Sequence, residues 1–160
     1  MRLRNFIFLI LSSLLLASFS YANAVFQDTK GHLVDTKSLK NKWVIVNYWA
    51  EWCGPCVREI PELNSFYKNN HNKNVVLYGV YYDTLSINDL KRVVQNANIN
   101  FPVLANDPNA DWQLGEVSIL PTTFIMNPKG DVVKTIYGGS NEDSLNAILS
   151  DLQQNFASKK

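Results

Sequence analysis

Residues 43–56, WVIVNYWAEWCGPC, decide how this chain is read. Trp43 to Trp49 is a nearly continuous run of aromatic and β-branched residues, the pattern of a central strand buried on both faces. Gly54 and Pro55 then open a helix, because proline's missing amide and fixed φ suit a first turn. Ile60, Leu63, Phe66 and Tyr67 recur at helical spacing toward an Asn-rich stop at Asn69 to Asn74, and Pro61 is expected to kink that helix. The chain's two cysteines, Cys53 and Cys56, therefore fall at a strand-to-helix junction, in the first turn of the helix. Unpaired amides and the positive end of the helix dipole favour a thiolate there, and the thiolate is the nucleophile of disulfide exchange. Cys53 is the expected attacking thiol; Cys56, one turn deeper, is the expected resolving thiol. A static staple is a poor alternative, since a disulfide across two residues constrains the unfolded chain very little. A structural zinc needs four ligands, and the remaining candidates are His32 and His71, isolated in turn-like surroundings and read as solvated surface residues. No metal is expected.

Working outward, Val75 to Tyr82 is a second buried strand, and the strand-helix-strand order predicts a parallel pair with a right-handed crossover. Ser86 and Asp89 form a capping-box pattern ahead of Leu90, Val93 and Val94, which predicts a helix over 86–97. Phe101 to Leu104 reads as a short strand and Asn109 to Leu114 as a short helix. Thr122 to Met126 and Val132 to Tyr137 flank Asn127-Pro128-Lys129-Gly130, a strong hairpin signal that makes them antiparallel neighbours. Asn141 caps a final amphipathic helix with Leu145, Ile148, Leu149, Leu152 and Phe156 on one stripe. At the other end, Phe26 and Leu33-Val34 flank the turn-prone Asp28 to Gly31, an opening hairpin expected to cap one edge of the sheet.

Two separated motifs then carry a resemblance. Trp49 to Cys56, WAEWCGPC, resembles the active-site segment of thioredoxins, and Leu120-Pro121-Thr122-Thr123-Phe124 resembles their cis-proline strand. The opening hairpin, the long segment from Asp83 to Ser118 and the Asn127 to Gly130 turn resemble the TlpA/ResA-like branch. The resemblance implies an α/β thioredoxin-like fold, a central mixed β-sheet flanked by helices. An N-terminal hairpin and an inserted helix and strand before the cis-proline strand are implied with it. It also implies that Pro121 is cis and packs against the dithiol, with the backbone of Leu120 free to pair with an extended substrate strand. Trp52 would line the approach to Cys53 beside Gly54 and Pro55, whereas Tyr48 and Trp49 belong to the core. Asn47 departs from the pattern, because many thioredoxins carry there a buried aspartate that takes the proton of the second cysteine. Glu59, three residues after Cys56 on the same helical face, matches a glutamate of ResA-like proteins and is the candidate to modulate that proton transfer. The residue pattern alone leaves open a solvated helix glutamate paired with a nearby Lys or Arg.

The implied activity is dithiol-disulfide exchange without organic cofactor or metal. The Gly-Pro pair between the cysteines resembles that of reducing thioredoxins and favours a reductase; a disulfide oxidase or isomerase, or a non-catalytic peptide-binding module, stays open as an alternative. Implied partners are oxidised exported proteins such as apocytochrome c and a DsbD-like or CcdA-like membrane electron donor. The domain is expected to be monomeric.

Composition sets the setting. Arg2 and Arg4 precede an apolar run from Phe6 to Phe19, and Ala22-Asn23-Ala24 fits a small-x-small cleavage pattern, so residues 1–24 read as a signal peptide and 25–160 as the domain. Retention of 1–24 as a membrane anchor is the alternative, although the run is shorter than the ~20 residues a spanning helix needs. The expected location is the periplasm, with the domain facing it whether cleaved or anchored. The formal charge of +1 becomes −1 once Arg2 and Arg4 are removed, which leaves no basic footprint for nucleic acid.

Overall fold

A computed structural model describes residues 25–71 and 73–158. The proposed leader, 1–24, lies outside the described residues. Five strands form one mixed sheet in the order β5-β4-β3-β6-β7. They are β3 (Trp43–Trp49), β4 (Val75–Tyr81), β5 (Val103–Leu104), β6 (Thr122–Met126) and β7 (Val132–Tyr137). β3 is central, parallel to β4 and antiparallel to β6. β4 and β5 are parallel and β6 and β7 antiparallel, as the hairpin signal at Asn127 to Gly130 requires. The helices are α1 (Gly54–Asn70), α2 (Ile87–Asn96), α3 (Asn109–Trp112) and α4 (Glu142–Ala157).

Every residue of β3 is buried because both faces of the sheet are covered. Trp43, Ile45 and Trp49 join one core with Ile60, Leu63 and Phe66 of α1, Leu90 and Val93 of α2, and Leu145 and Leu149 of α4. Val44, Val46 and Tyr48, the alternate residues, join a second core with Phe26, Val34 and Trp112. Gly79 of β4 lets this packing close, since a Cβ there would lie 3.0 Å from the Phe101 ring and 3.4 Å from Trp49 Nε1. Pro61 sits inside α1 without ending it. Asn141 caps α4 in a reciprocal box with Ser144, and Ser86 caps α2.

The opening hairpin, β1 (Val25–Gln27) with β2 (Leu33–Asp35), extends the sheet edge at β5. The Thr29 amide donates to Val103 O at 2.8 Å, and the Ala105 amide donates to Gln27 O at 2.8 Å. Its turn is organised by buried Asp28, whose carboxylate accepts from the Lys30 amide, the His32 amide and the His32 ring at 2.8–2.9 Å. His32 is thus exposed, as its surroundings predict, yet its ring holds the hairpin closed. His71 is also exposed, with Nδ1 3.0 Å from Tyr67 O at the end of α1.

Candidate active site

The site forms where β3 ends. Cys53 is the N-cap of α1, in extended backbone, and its Sγ accepts from the Cys56 amide at 3.2 Å. That contact uses one of the amides a helix start leaves unpaired. The two sulfurs are joined, with Cα atoms 5.3 Å apart. Cys53 keeps 6% of its surface, and Cys56 keeps none. Helix geometry produces this asymmetry, because the cap stands at the surface while the residue one turn on faces the sheet.

β6 brings the second motif to the same place. Thr122 pairs with Tyr48, so the residues before it run past the end of β3. The Leu120–Pro121 bond is cis, as the resemblance implies. A groove of about 470 Å³ is lined by Trp52, Cys53, Gly54, Pro55, Tyr82, Ser118, Ile119 and Leu120. Pro121 is buried behind that lining, and its carbonyl accepts from the Gly138 amide at 2.8 Å. Trp52 is 62% exposed and stands on the rim. Its indole Nε1 donates to Asp83 Oδ2 at 2.7 Å, and its ring meets Tyr82 edge-on. Tyr48 and Trp49 are core, as expected.

Glu59 is 3% exposed, which overturns the solvated alternative with a Lys or Arg partner. Its Oε1 accepts from Asn47 Nδ2 at 2.8 Å, and its Oε2 accepts from the Ser140 amide at 2.7 Å. Asn47 Nδ2 also donates to Thr123 Oγ1 at 3.0 Å. Burial pushes the Glu59 carboxyl above its ordinary range, and the bonds from Ser140 and Asn47 only partly pull it back. A Cβ at Gly139 would lie 3.8 Å from Glu59 Oε2 and 4.0 Å from the Pro55 carbonyl oxygen, so the carboxyl and the turn that holds the disulfide share Gly139 as a neighbour. Asn47 carried a sequence signal, being the one polar residue in an apolar strand. Thr123, Ser140, Asp83 and Tyr82 carried none that singled them out.

The family model for the AhpC/TSA family matches residues 18–135. The chain belongs to that family. Among relatives, it is 34% identical over 128 residues to the thiol-disulfide oxidoreductase ResA of Bacillus subtilis, covering 80% of this chain and 71% of that protein. The crystal structure of the exposed lipoprotein thioredoxin of Streptococcus pneumoniae superposes with a TM-score of 0.70 at 22% identity, covering 81% of this chain and 99% of that one. StoA from Bacillus subtilis gives 0.65 at 23% identity, with coverage of 78% and 93%. These superpositions establish the thioredoxin-like fold. As an AhpC/TSA member with a Cys-x-x-Cys disulfide at the strand-to-helix junction, the protein is a thiol-disulfide oxidoreductase. Among the described residues no helix is long and apolar enough to cross a membrane.

Proposed function

We propose that the protein is an exported reductase of the TlpA/ResA-like branch, acting on disulfides of periplasmic proteins such as apocytochrome c. A DsbD-like or CcdA-like membrane donor would recharge it. The single observation that carries this reading is the asymmetry of the pair, with Cys53 on the wall of an open groove and Cys56 sealed behind it. The thiolate of Cys53 attacks a substrate disulfide, forming a mixed disulfide and expelling one substrate thiolate. Cys56, deprotonated by Glu59, then attacks Cys53 Sγ, which closes the internal disulfide and expels the second substrate thiolate. Two electrons pass from the dithiol to the substrate. Trp52, Gly54, Pro55 and Leu120 bind the substrate segment, and Pro121 sets the path of Leu120. Similarity to ResA, the Gly-Pro dipeptide and the leader-like residues 1–24 support the direction and the compartment.

Trapping tests it. A Cys56→Ser variant lacks the resolving thiol and should accumulate mixed disulfides through Cys53 with exported proteins, c-type cytochromes among them. The wild-type couple should have a potential toward about −270 mV rather than about −120 mV. Failure to trap exported proteins, or a potential at the oxidising end, overturns the reductase reading.

A further inference from the structure

We propose that Asn47 and Thr123 are positioning residues forming a reversible hydrogen-bond partner for Glu59. The Asn47 amide presents its NH2 to the carboxylate and turns to present its oxygen to the carboxylic acid. This rests on the reading of Glu59 as the proton acceptor of Cys56.

The argument begins with the number of donors. Glu59 Oε2 faces the Ser140 amide, a backbone donor that can never accept. Oε1 faces Asn47 Nδ2, whose other hydrogen is directed at Thr123 Oγ1. With the carboxylate ionised, every one of these contacts is satisfied. The proton-transfer step converts the Cys56 thiol and the Glu59 carboxylate into the Cys56 thiolate and the Glu59 carboxylic acid. Because Oε2 remains an acceptor for Ser140, the incoming proton resides on Oε1. There it meets an N–H of Asn47, donor against donor, in a site where all three side chains are buried. An unpaired buried donor is costly, so a rigid donor at position 47 would oppose the transfer.

Asparagine removes that opposition. A half-turn of its amide replaces two N–H donors with one oxygen carrying two lone pairs. One lone pair accepts from the Glu59 hydroxyl, the other from the Thr123 hydroxyl, which rotates from accepting to donating. The same three side chains thus satisfy both protonation states. Aspartate at 47 could not donate to the carboxylate, and valine at 123 could neither accept nor donate. The facing groups on the neighbouring elements, Asn47 of β3, Thr123 of β6 and Ser140 of the β7–α4 turn, do not titrate. On α1 the nearby ionisable side chains are those of Cys53, Cys56, Arg58 and Glu62. The last two are exposed, and Glu62 is engaged by the amide of Glu142 at the start of α4.

The test follows the Asn47 side-chain amide by NMR in the oxidised protein, where neither cysteine titrates, while the ¹³C shift of the Glu59 carboxyl reports its charge. Contacts of the amide hydrogens with Thr123 should be present when Glu59 is ionised and vanish as it protonates. In the reduced protein, Asn47→Leu removes the donor to the carboxylate and raises the Glu59 carboxyl further. The pH profile of Cys56 thiolate formation should therefore move to higher pH by about one unit, about a tenfold loss at fixed pH on its rising limb. Thr123→Val should change the pH profile of that step in the same direction, and Thr123→Ser should restore it; this pair decides the matter if Asn47→Leu does not fold. Amide contacts that persist unchanged across the Glu59 titration overturn the proposal, as does an unaltered pH profile in both Asn47→Leu and Thr123→Val. If Glu59→Gln leaves the Cys56 titration unmoved while the Asn47 amide of the oxidised wild type turns as Glu59 titrates, the proton-acceptor reading fails and the hydrogen-bond exchange stands.

Discussion

Replacing Glu59 by Gln gives a measurement in which burial and hydrogen bonding pull in opposite directions. The carboxylate receives two bonds, from Asn47 and Ser140, each to a charged acceptor and worth about 1.5–3 kcal/mol in isolation. Burial opposes them and prevails, so the folded protein holds this proton more tightly than the unfolded chain does. The sign of the pH dependence follows. Below the unfolded carboxyl's value, about 4.3, both states are protonated and the wild type pays no penalty. As pH rises from there through the raised folded value, the unfolded chain gives up its proton first, and stability is lost at about 1.4 kcal/mol per pH unit. Glutamine has nearly the same shape and no charge, so Glu59→Gln escapes that loss. The gap between variant and wild type should therefore grow with pH across this window and then level off. Urea unfolding of the disulfide form between pH 4 and pH 8 measures it without cysteine titration, and all shared ionisations cancel in the difference. With a slope of about 1–3 kcal/mol per molar urea, each 1.4 kcal/mol moves the midpoint by about 0.5–1.4 M. A gap that is flat in pH, or a wild type that gains on the variant as pH rises, would refute the reasoning and make Glu59 a permanently ionised anchor.

Asp28→Ala should release the opening hairpin from the sheet edge and destabilise the protein by about 3 kcal/mol in urea unfolding, since three donors lose one buried acceptor. Burial pushes the Asp28 carboxyl up, but the bonds from His32 and Lys30 outweigh it and hold it below its ordinary range. Its contribution to stability is therefore present above about pH 3.9 and is lost as pH falls through the folded value. Asp83→Ala frees the Trp52 indole on the groove rim; it should raise KM for a protein disulfide several-fold with little change in kcat, and an unchanged KM would mean that Trp52 needs no tether.

Elements with a local cause were legible in the sequence, and contacts between distant residues were not. β3 was legible because a seven-residue run with Asn47 as its one polar member leaves no solvent face. The α4 start was legible because the cap residue Asn141 stands just ahead of the apolar stripe that begins at Leu145. The β6–β7 hairpin was legible in Asn127 to Gly130, where Asn127 Oδ1 accepts from the Lys129 and Asp131 amides. The surroundings of Glu59 were not. Its two donors lie 12 and 81 residues away, and Thr123 lies 76 residues from Asn47, on a neighbouring strand. Periodicity places Glu59 on the face of Cys56 but does not reveal whether that face is wet or dry. The answer depends on the turn before α4 folding over it, a tertiary fact with no local signature. His32 shows the same limit, because isolation in sequence hid a ring engaged by Asp28 four residues earlier.

The reactive pair and the buried carboxyl are consequences of one piece of geometry. A strand buried on both faces must hand its chain to a helix at the sheet's end, and the cap of that helix, Cys53, reaches the groove wall beside the helix's first amides. Three residues after the cap, at Cys56, the chain is already under cover. Nucleophile and resolving thiol therefore differ in exposure without any special device, while a base for the second thiol has to be buried with it. A buried base is useful only if it can be neutral as easily as charged, because a partner set that favoured one form would hold the proton permanently on one side. Carboxylate, amide and hydroxyl, arranged as in Glu59, Asn47 and Thr123, are a combination whose donors and acceptors exchange one for one. On the proposed role of Glu59 as that base, an amide at position 47, where many thioredoxins carry an acid, is what a carboxyl placed on the helix requires of the strand beneath it.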